Sequence, residues 1–123
     1  KVKYMRDFIK ASKALSDETR LRILNLLLER ECCVCEVMQA LQISQTRASR
    51  NLSALHDAGF LKMRKDGLWS LYSLDNKGMD DYMTGLVDSA RKALDGNEVA
   101  AMDRERLKKA ERVGTGCAGK MMR

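Results

Sequence analysis

A mainly helical fold carrying one small β-hairpin is what this sequence predicts, and three observations carry it. Apolar residues recur at helical spacing through most of the 123 positions, proline is absent, and one pair of β-prone runs flanks Asp66-Gly67. That length suits a single core rather than two full-sized domains.

The opening helix is marked by Phe8, Ile9, Ala11, Ala14 and Leu15. Ser16 then offers a side-chain cap, and Asp17 and Glu18 place negative charge in the first turn of a second helix. Its dense run, Leu21, Ile23, Leu24, Leu26, Leu27 and Leu28, is the expected spine of the core. Val34, Val37, Met38 and Leu41 follow the i, i+3, i+4, i+7 pattern of a short third helix, closed by a turn at Gln42-Ile43. Ser44 is a good N-cap for a fourth helix whose Ala48, Leu52 and Leu55 face inward until Gly59 ends it.

The outward face of that fourth helix carries Gln45, Thr46, Arg47, Ser49, Arg50, Ser53 and His56. These side chains suit hydrogen bonds to base edges and phosphates, so two short helices and a tight turn read as a helix-turn-helix. The hairpin that follows, residues 60–65 and 68–74, reads as a β-wing with Lys62, Arg64 and Lys65 placed to meet flanking phosphates. A net charge of +6, from 23 Lys and Arg against 17 Asp and Glu, agrees with a polyanionic partner. Met79, Tyr82, Met83, Leu86, Val87, Ala90 and Leu94 then stripe a helix that a lone winged domain does not need. With the opening helix it is expected to form a homodimer interface, as two-fold operators require.

The expected organisation is a winged helix-turn-helix and dimerisation domain over residues 1–95. A charged extension over residues 96–123 follows, with a possible helix to Val113 and a mobile glycine-rich end. No apolar stretch is long enough to span a membrane, and no secretory signal opens the chain, so a soluble cytoplasmic protein is expected. Cys32, Cys33 and Cys35 crowd into four positions, with Cys117 far behind. In a reducing compartment that pattern suggests reactive or metal-binding thiols rather than a disulfide framework. An enzyme with a cysteine nucleophile is disfavoured: the one histidine, His56, sits on another element, and no phosphate loop or carboxylate pair replaces it.

Residues 15–24, the Glu-Cys-Cys-Val-Cys-Glu stretch at 31–36, residues 44–61 and the wing at 67–74 together resemble the ArsR/SmtB family of metal- and metalloid-sensing repressors. The likeness runs in register over roughly residues 10–94. It implies a homodimeric winged helix-turn-helix that binds operator DNA and lets go when an inducer ion binds, with residues 44–56 as the recognition helix. Ser44, Gln45, Thr46, Arg47, Ser49, Arg50, Arg64 and Lys65 are then the DNA-contacting set. Cys33 and Cys35 fall on the two cysteines of the family motif Glu-Leu-Cys-Val-Cys-Asp, which marks arsenic- and antimony-responsive members and also cadmium- and lead-responsive ones. This chain departs from the pattern twice: Cys32 stands at the motif's Leu, and Met38 stands where arsenic sensors carry a third cysteine.

Soft thiolates select soft acceptors, and As(III) or Sb(III) suits three sulfurs, whereas Cd(II) or Pb(II) recruits three or four donors. With the cysteines at a helix start, Cys33 and Cys35 lie about 200° apart on an ideal helix, so a shared ion is expected to require unwinding of the first turn. Local closure favours Cys32 as the third ligand, with Cys117 as an auxiliary donor. The competing reading of the same thiols is a redox or persulfide switch that triggers the same release.

Overall fold

Asp17, not Ser16, caps the second helix: its carboxylate accepts the Arg20 N–H at 3.0 Å, while the Ser16 hydroxyl bonds back to the Ser12 carbonyl. The computed structural model describes residues 5–113. Cys117 and the glycine-rich end that the sequence reading makes mobile lie outside them.

The described chain runs α1 (Met5–Ala14), α2 (Glu18–Glu29), β1 (Cys32–Cys33), α3 (Val34–Leu41), α4 (Gln45–Asp57), β2 (Leu61–Asp66), β3 (Trp69–Leu74), α5 (Asp81–Leu94) and α6 (Glu98–Lys109). α2 is the expected spine, with Ile23, Leu24 and Leu26 fully buried in one cluster with Val37, Leu52, Leu55 and Phe60. α3 ends on Gln42, which takes the left-handed conformation (φ 58°), and Ser44 accepts the Arg47 N–H to start α4. α4 closes in a Schellman motif, Gly59 (φ 97°) bonding to the His56 carbonyl and Phe60 to that of Leu55. A side chain at Gly59 would also meet Met83 of α5, so the residue serves both turn and packing.

β2 and β3 pair antiparallel from Leu61↔Leu74 to Asp66↔Trp69. The two-residue loop is therefore Gly67-Leu68, one position later than the expected Asp66-Gly67, with the positive φ of Gly67 at the first loop position. The sheet has a third strand that the periodicity does not predict: β1 pairs with β3, Cys32 opposite Tyr72 and Cys33 opposite Leu71. Two residues are too few for an alternation signal, and β1 exists because β3 offers it a ladder.

The C-terminal extension is part of the packed unit. α6 lies against α2 and α3. It is anchored by Asp103, fully buried, whose two oxygens each lie 2.8 Å from a nitrogen of Arg22 and whose Oδ1 also accepts from Arg106 at 2.8 Å. The helix stops at Lys109 rather than Val113, and residues 110–113 leave it without helical structure. Among the described residues no helix is long and apolar enough to cross a membrane.

Candidate functional site

The cysteines stand at the junction of β1 and α3. Cys33 is a strand residue and the N-cap of α3, while only Cys35 lies within the helix. Their sulfurs are 2.9 Å apart, so the expected unwinding is not needed to bring them together. The 200° separation assumed both residues to be helical; a strand residue at the cap turns the Cys33 side chain back over the first turn. Glu36 fixes that corner: its carboxylate, almost fully buried, accepts the Cys33 N–H at 2.9 Å and pairs with Arg30 at 2.9 Å and Arg112 at 3.4 Å.

Cys32 does not join them. Adjacent residues of a strand point to opposite faces. Cys32 accordingly packs in the main core with its Sγ 3.5 Å from the Arg30 carbonyl, whereas Cys33 and Cys35 form a separate cluster with Leu71, Trp69 and Val113. Of the three cysteines that spacing brings together in sequence, the structure therefore places two side by side and the third on the opposite face of β1. Among the described residues no group of three or more His, Cys, Asp or Glu is placed to hold a metal ion. Burial pushes the Cys32 thiol up to about 12, desolvation outweighing the Arg30 charge, and raises that of Cys33 as well, the Glu36 carboxylate adding to desolvation at both. Cys35 is disulfide-bonded in the structure, so an ion reaches its sulfur only after reduction.

A strap crosses this pair. The Glu111 carbonyl lies 3.7 Å from Cys35 Sγ, and the Gln39 amide holds the Glu111 backbone at two points, donating to its carbonyl at 2.6 Å and accepting its N–H at 3.1 Å. Arg112 reaches both Glu36 and, at 3.6 Å, Asp66 at the wing tip. Val113 packs on the thiol cluster. Beside it the Trp69 indole N–H is buried and meets no acceptor among the described residues. Sequence reasoning gave Gln39, Arg112 and Val113 no role here: Arg112 and Val113 reach the pair only through the docking of α6, and Gln39, one turn after Cys35 on α3, gains its role from gripping Glu111.

The second functional surface is α4 with the wing. Thr46, Arg47, Arg50, Ser53 and His56 are exposed, with Gln45 and Ser49 partly so, while Ala48, Leu52 and Leu55 are buried as expected. Arg47 is not wholly available, since one guanidinium nitrogen lies 2.7 Å from the Thr19 hydroxyl. The Ser44 hydroxyl is engaged as the cap. Arg64 is paired with Glu31 through both Nε and an Nη, which holds the Glu31 carboxyl below its usual range, and Lys65 contacts the Ser70 hydroxyl at 3.0 Å. Of the residues expected to contact DNA, Arg50 is thus the exposed cation on the helix face that no described group holds back in the contacts just given.

A model described as bacterial regulatory protein, arsR family, matches residues 17–63. The chain is 42% identical over 85 residues to a cadmium resistance transcriptional regulatory protein CadC homolog from Staphylococcus aureus, covering 68% of this chain and 67% of that protein. It is 40% identical over 86 residues to the arsenic resistance transcriptional regulator ArsR1 of Pseudomonas putida, covering 67% of each. Among solved structures it is similar to the homodimeric winged helix-turn-helix DNA-binding domain Mb0332 from Mycobacterium bovis, with 26% identity, a TM-score of 0.63 and coverage of 76% and 83%. The transcriptional repressor BigR from Xylella fastidiosa gives 25% identity and a TM-score of 0.62, covering 76% and 88%.

Proposed function

Because the chain belongs to the arsR family of bacterial regulatory proteins, DNA-binding transcriptional repressors rather than enzymes, we propose that it binds operator DNA as a cytoplasmic homodimer and dissociates when As(III) or Sb(III) binds Cys33 and Cys35. The observation that carries this reading is the 2.9 Å approach of two sulfurs at the end of a strand that pairs with the wing. α4 lies in the major groove, Gln45, Thr46, Ser49 and Arg50 read base edges, and Arg64 and Lys65 meet phosphates. α1 and α5 supply the dimer contact; Met5, Phe8 and Ile9 are exposed on a single chain, and Phe8 stacks at a tilt on Tyr82 of α5 at 5.6 Å.

The lining of the thiol cluster supports a trivalent ion. Arsenite enters as As(OH)3; each As–S bond formed replaces an As–O bond, the thiol proton leaves with the hydroxide as water, and no electrons change hands. Three thiolates on As(III) make a neutral complex, whereas three on Cd(II) or Pb(II) retain a negative charge, which the apolar walls of Leu71, Trp69 and Val113 disfavour. Release follows from differential affinity: the ion is bound better by a state in which β1 and the start of α3 have shifted, and β1 carries that shift to β3 of the wing. A hundredfold loss of operator affinity needs only about 2.7 kcal/mol of such preference.

Thiol oxidation is the second reading, favoured by the disulfide at Cys35. One titration separates the readings: operator release measured by fluorescence anisotropy under reducing conditions with As(III), Sb(III), Cd(II) and Pb(II) in turn, then with peroxide and persulfide. Release by As(III) or Sb(III) at the lowest concentrations supports the proposal. Release only by Cd(II) or Pb(II), or only by oxidants, replaces it with the corresponding alternative.

A further inference from the structure

We infer that the strap, residues 110–113, holds the far end of the wing in place for operator DNA, with Arg112 and Gln39 as positioning residues that themselves touch no base or phosphate. The C-terminal extension thereby sets operator affinity from outside the DNA surface. This rests on the DNA-binding reading above and adds to it the residues that fix the wing.

The wing needs such support because its sheet is uneven. β1 is two residues long and meets β3 only at Leu71 and Tyr72. The ladder pairs nearest the loop, Lys65↔Ser70 and Asp66↔Trp69, lie beyond its reach. Two strands alone are marginally stable in water, so this end depends on what packs beside it. Strand alternation puts Cys33, Leu71 and Trp69 on one face of the sheet, together with Asp66 across the ladder. The opposite face carries Tyr72, whose ring meets His56 of α4 edge-on at 6.4 Å. The strap therefore supports the wing from the face turned away from α4.

It does so at two points. Val113 packs on the thiol cluster that Trp69 also joins, and an Nη of Arg112 lies 3.6 Å from the Asp66 carboxylate while its Nε lies 3.4 Å from that of Glu36. One guanidinium thus bridges the wing tip and the start of α3. Glu36 is a fixed post for it, almost fully buried and tied to the Cys33 N–H and to Arg30, each at 2.9 Å. Two carboxylates occupy Arg112 and only 30% of its side chain is exposed, which suits a brace rather than a phosphate ligand. Behind it the Gln39 amide grips both the carbonyl and the N–H of Glu111, and α6 is anchored through buried Asp103.

A partly exposed ion pair contributes little to folding, but here it acts on an equilibrium that DNA reads. A loose hairpin end must be ordered when the duplex binds, whereas a braced one is ordered beforehand. Apparent affinity falls in proportion to the fraction of chains whose wing is in place. If release of the strap leaves that fraction at about one in five, operator affinity falls about fivefold.

The test uses the full chain under reducing conditions, with two fluorescein-labelled duplexes as probes: one from the chain's own promoter region and one of mixed sequence. Anisotropy over a range of salt gives affinity, and acrylamide quenching of Trp69, the only tryptophan, reports the wing end in the DNA-free protein. Gln39→Ala is decisive, because it changes no charge and sits in a helix, where alanine is well tolerated. It is expected to bind the promoter duplex about fivefold more weakly with an unchanged salt slope, and to leave Trp69 more readily quenched. Arg112→Gln is expected to raise Trp69 quenching as much and to lower affinity at least as far. Wild-type promoter affinity in Gln39→Ala overturns the inference. So does weaker binding by Arg112→Gln with Trp69 quenching unchanged, which would make Arg112 a direct phosphate contact. A wild-type chain that binds neither duplex overturns the DNA-binding reading instead.

Discussion

Cys33 faces Leu71 across the β1–β3 ladder, so one edge of the wing sheet is also a wall of the thiol site. An ion held at that pair would act on the wing through a single backbone register rather than through a chain of side chains.

That coupling gives the first prediction. Cys33→Ser and Cys35→Ser keep the size of the side chain but replace a soft donor by a hard one. Both are expected to repress as well as the wild type and to lose release by arsenite, read as operator anisotropy at rising arsenite under reducing conditions. Wild-type release in either variant places the inducer site elsewhere.

The α4 surface gives the second. Arg50→Ala is expected to weaken operator binding by about 1–3 kcal/mol with no change in melting temperature, the cost of losing one good base or phosphate contact. Arg47→Ala is expected to do two things at once, because Arg47 also bonds to Thr19: weaker binding, and a loss of about 1 kcal/mol of folding stability. Denaturant melts alongside binding curves separate the two, and equal stability for both variants contradicts the structural role of Arg47.

Glu31 restrains the wing. Its pairing with Arg64 on the surface adds little stability, but it offsets a charge that phosphates would otherwise feel. Glu31→Gln is expected to raise affinity for operator and non-operator duplexes alike and to steepen the salt dependence by about one counterion. A gain confined to the operator would mean that Glu31 acts on specificity instead.

Asp103 pins the extension. Asp103→Ala leaves Arg22 and Arg106 without the carboxylate they share, and about 3 kcal/mol of stability should go with it, the low end for a buried pair because both arginines reach solvent. Loosening α6 should also withdraw the strap, so operator affinity is expected to fall alongside stability. Calorimetric titration of the variant against operator DNA, beside its melting curve, checks both.

Cys32 sets an alkaline limit. Its thiol is raised by burial to about 12, against an unfolded value near 9. The folded state therefore holds the proton more tightly: the stabilisation is fully present below pH 9 and declines as pH rises toward 12. Cys32→Ala loses core packing at pH 8, and the stability gap between it and the wild type should narrow by about 1.4 kcal/mol at pH 10. A constant gap across that range contradicts the buried neutral thiol.

What the sequence reveals here is what local chemistry encodes. The apolar stripe of α4, its Ser44 cap and the glycine that ends it lie within one stretch of chain, and they locate the helix and its exposed polar face before any fold is known. The hairpin is equally local, although the pairing of Asp66 with Trp69 moves the turn by one residue. Cys33 and Cys35 are identifiable by type, but their convergence is not, because it depends on a two-residue strand that owes its existence to β3, some forty positions away. The strap is the extreme case. α6 is rich in charge, and its docking depends on a buried carboxylate and on Ala100 and Leu107, so helical periodicity reads it as a solvated extension and Gln39, Arg112 and Val113 as surface.

The bare apolar residues of α1 reach beyond DNA binding. If Met5, Phe8 and Ile9 are covered only when two chains meet, then part of the free energy that keeps the protein folded belongs to the pair and scales with the logarithm of protein concentration. A cell holding too few copies would lose the repressor to proteolysis as well as to dissociation. Abundance and durability would then fall together, setting a floor on expression below which the regulator does not persist.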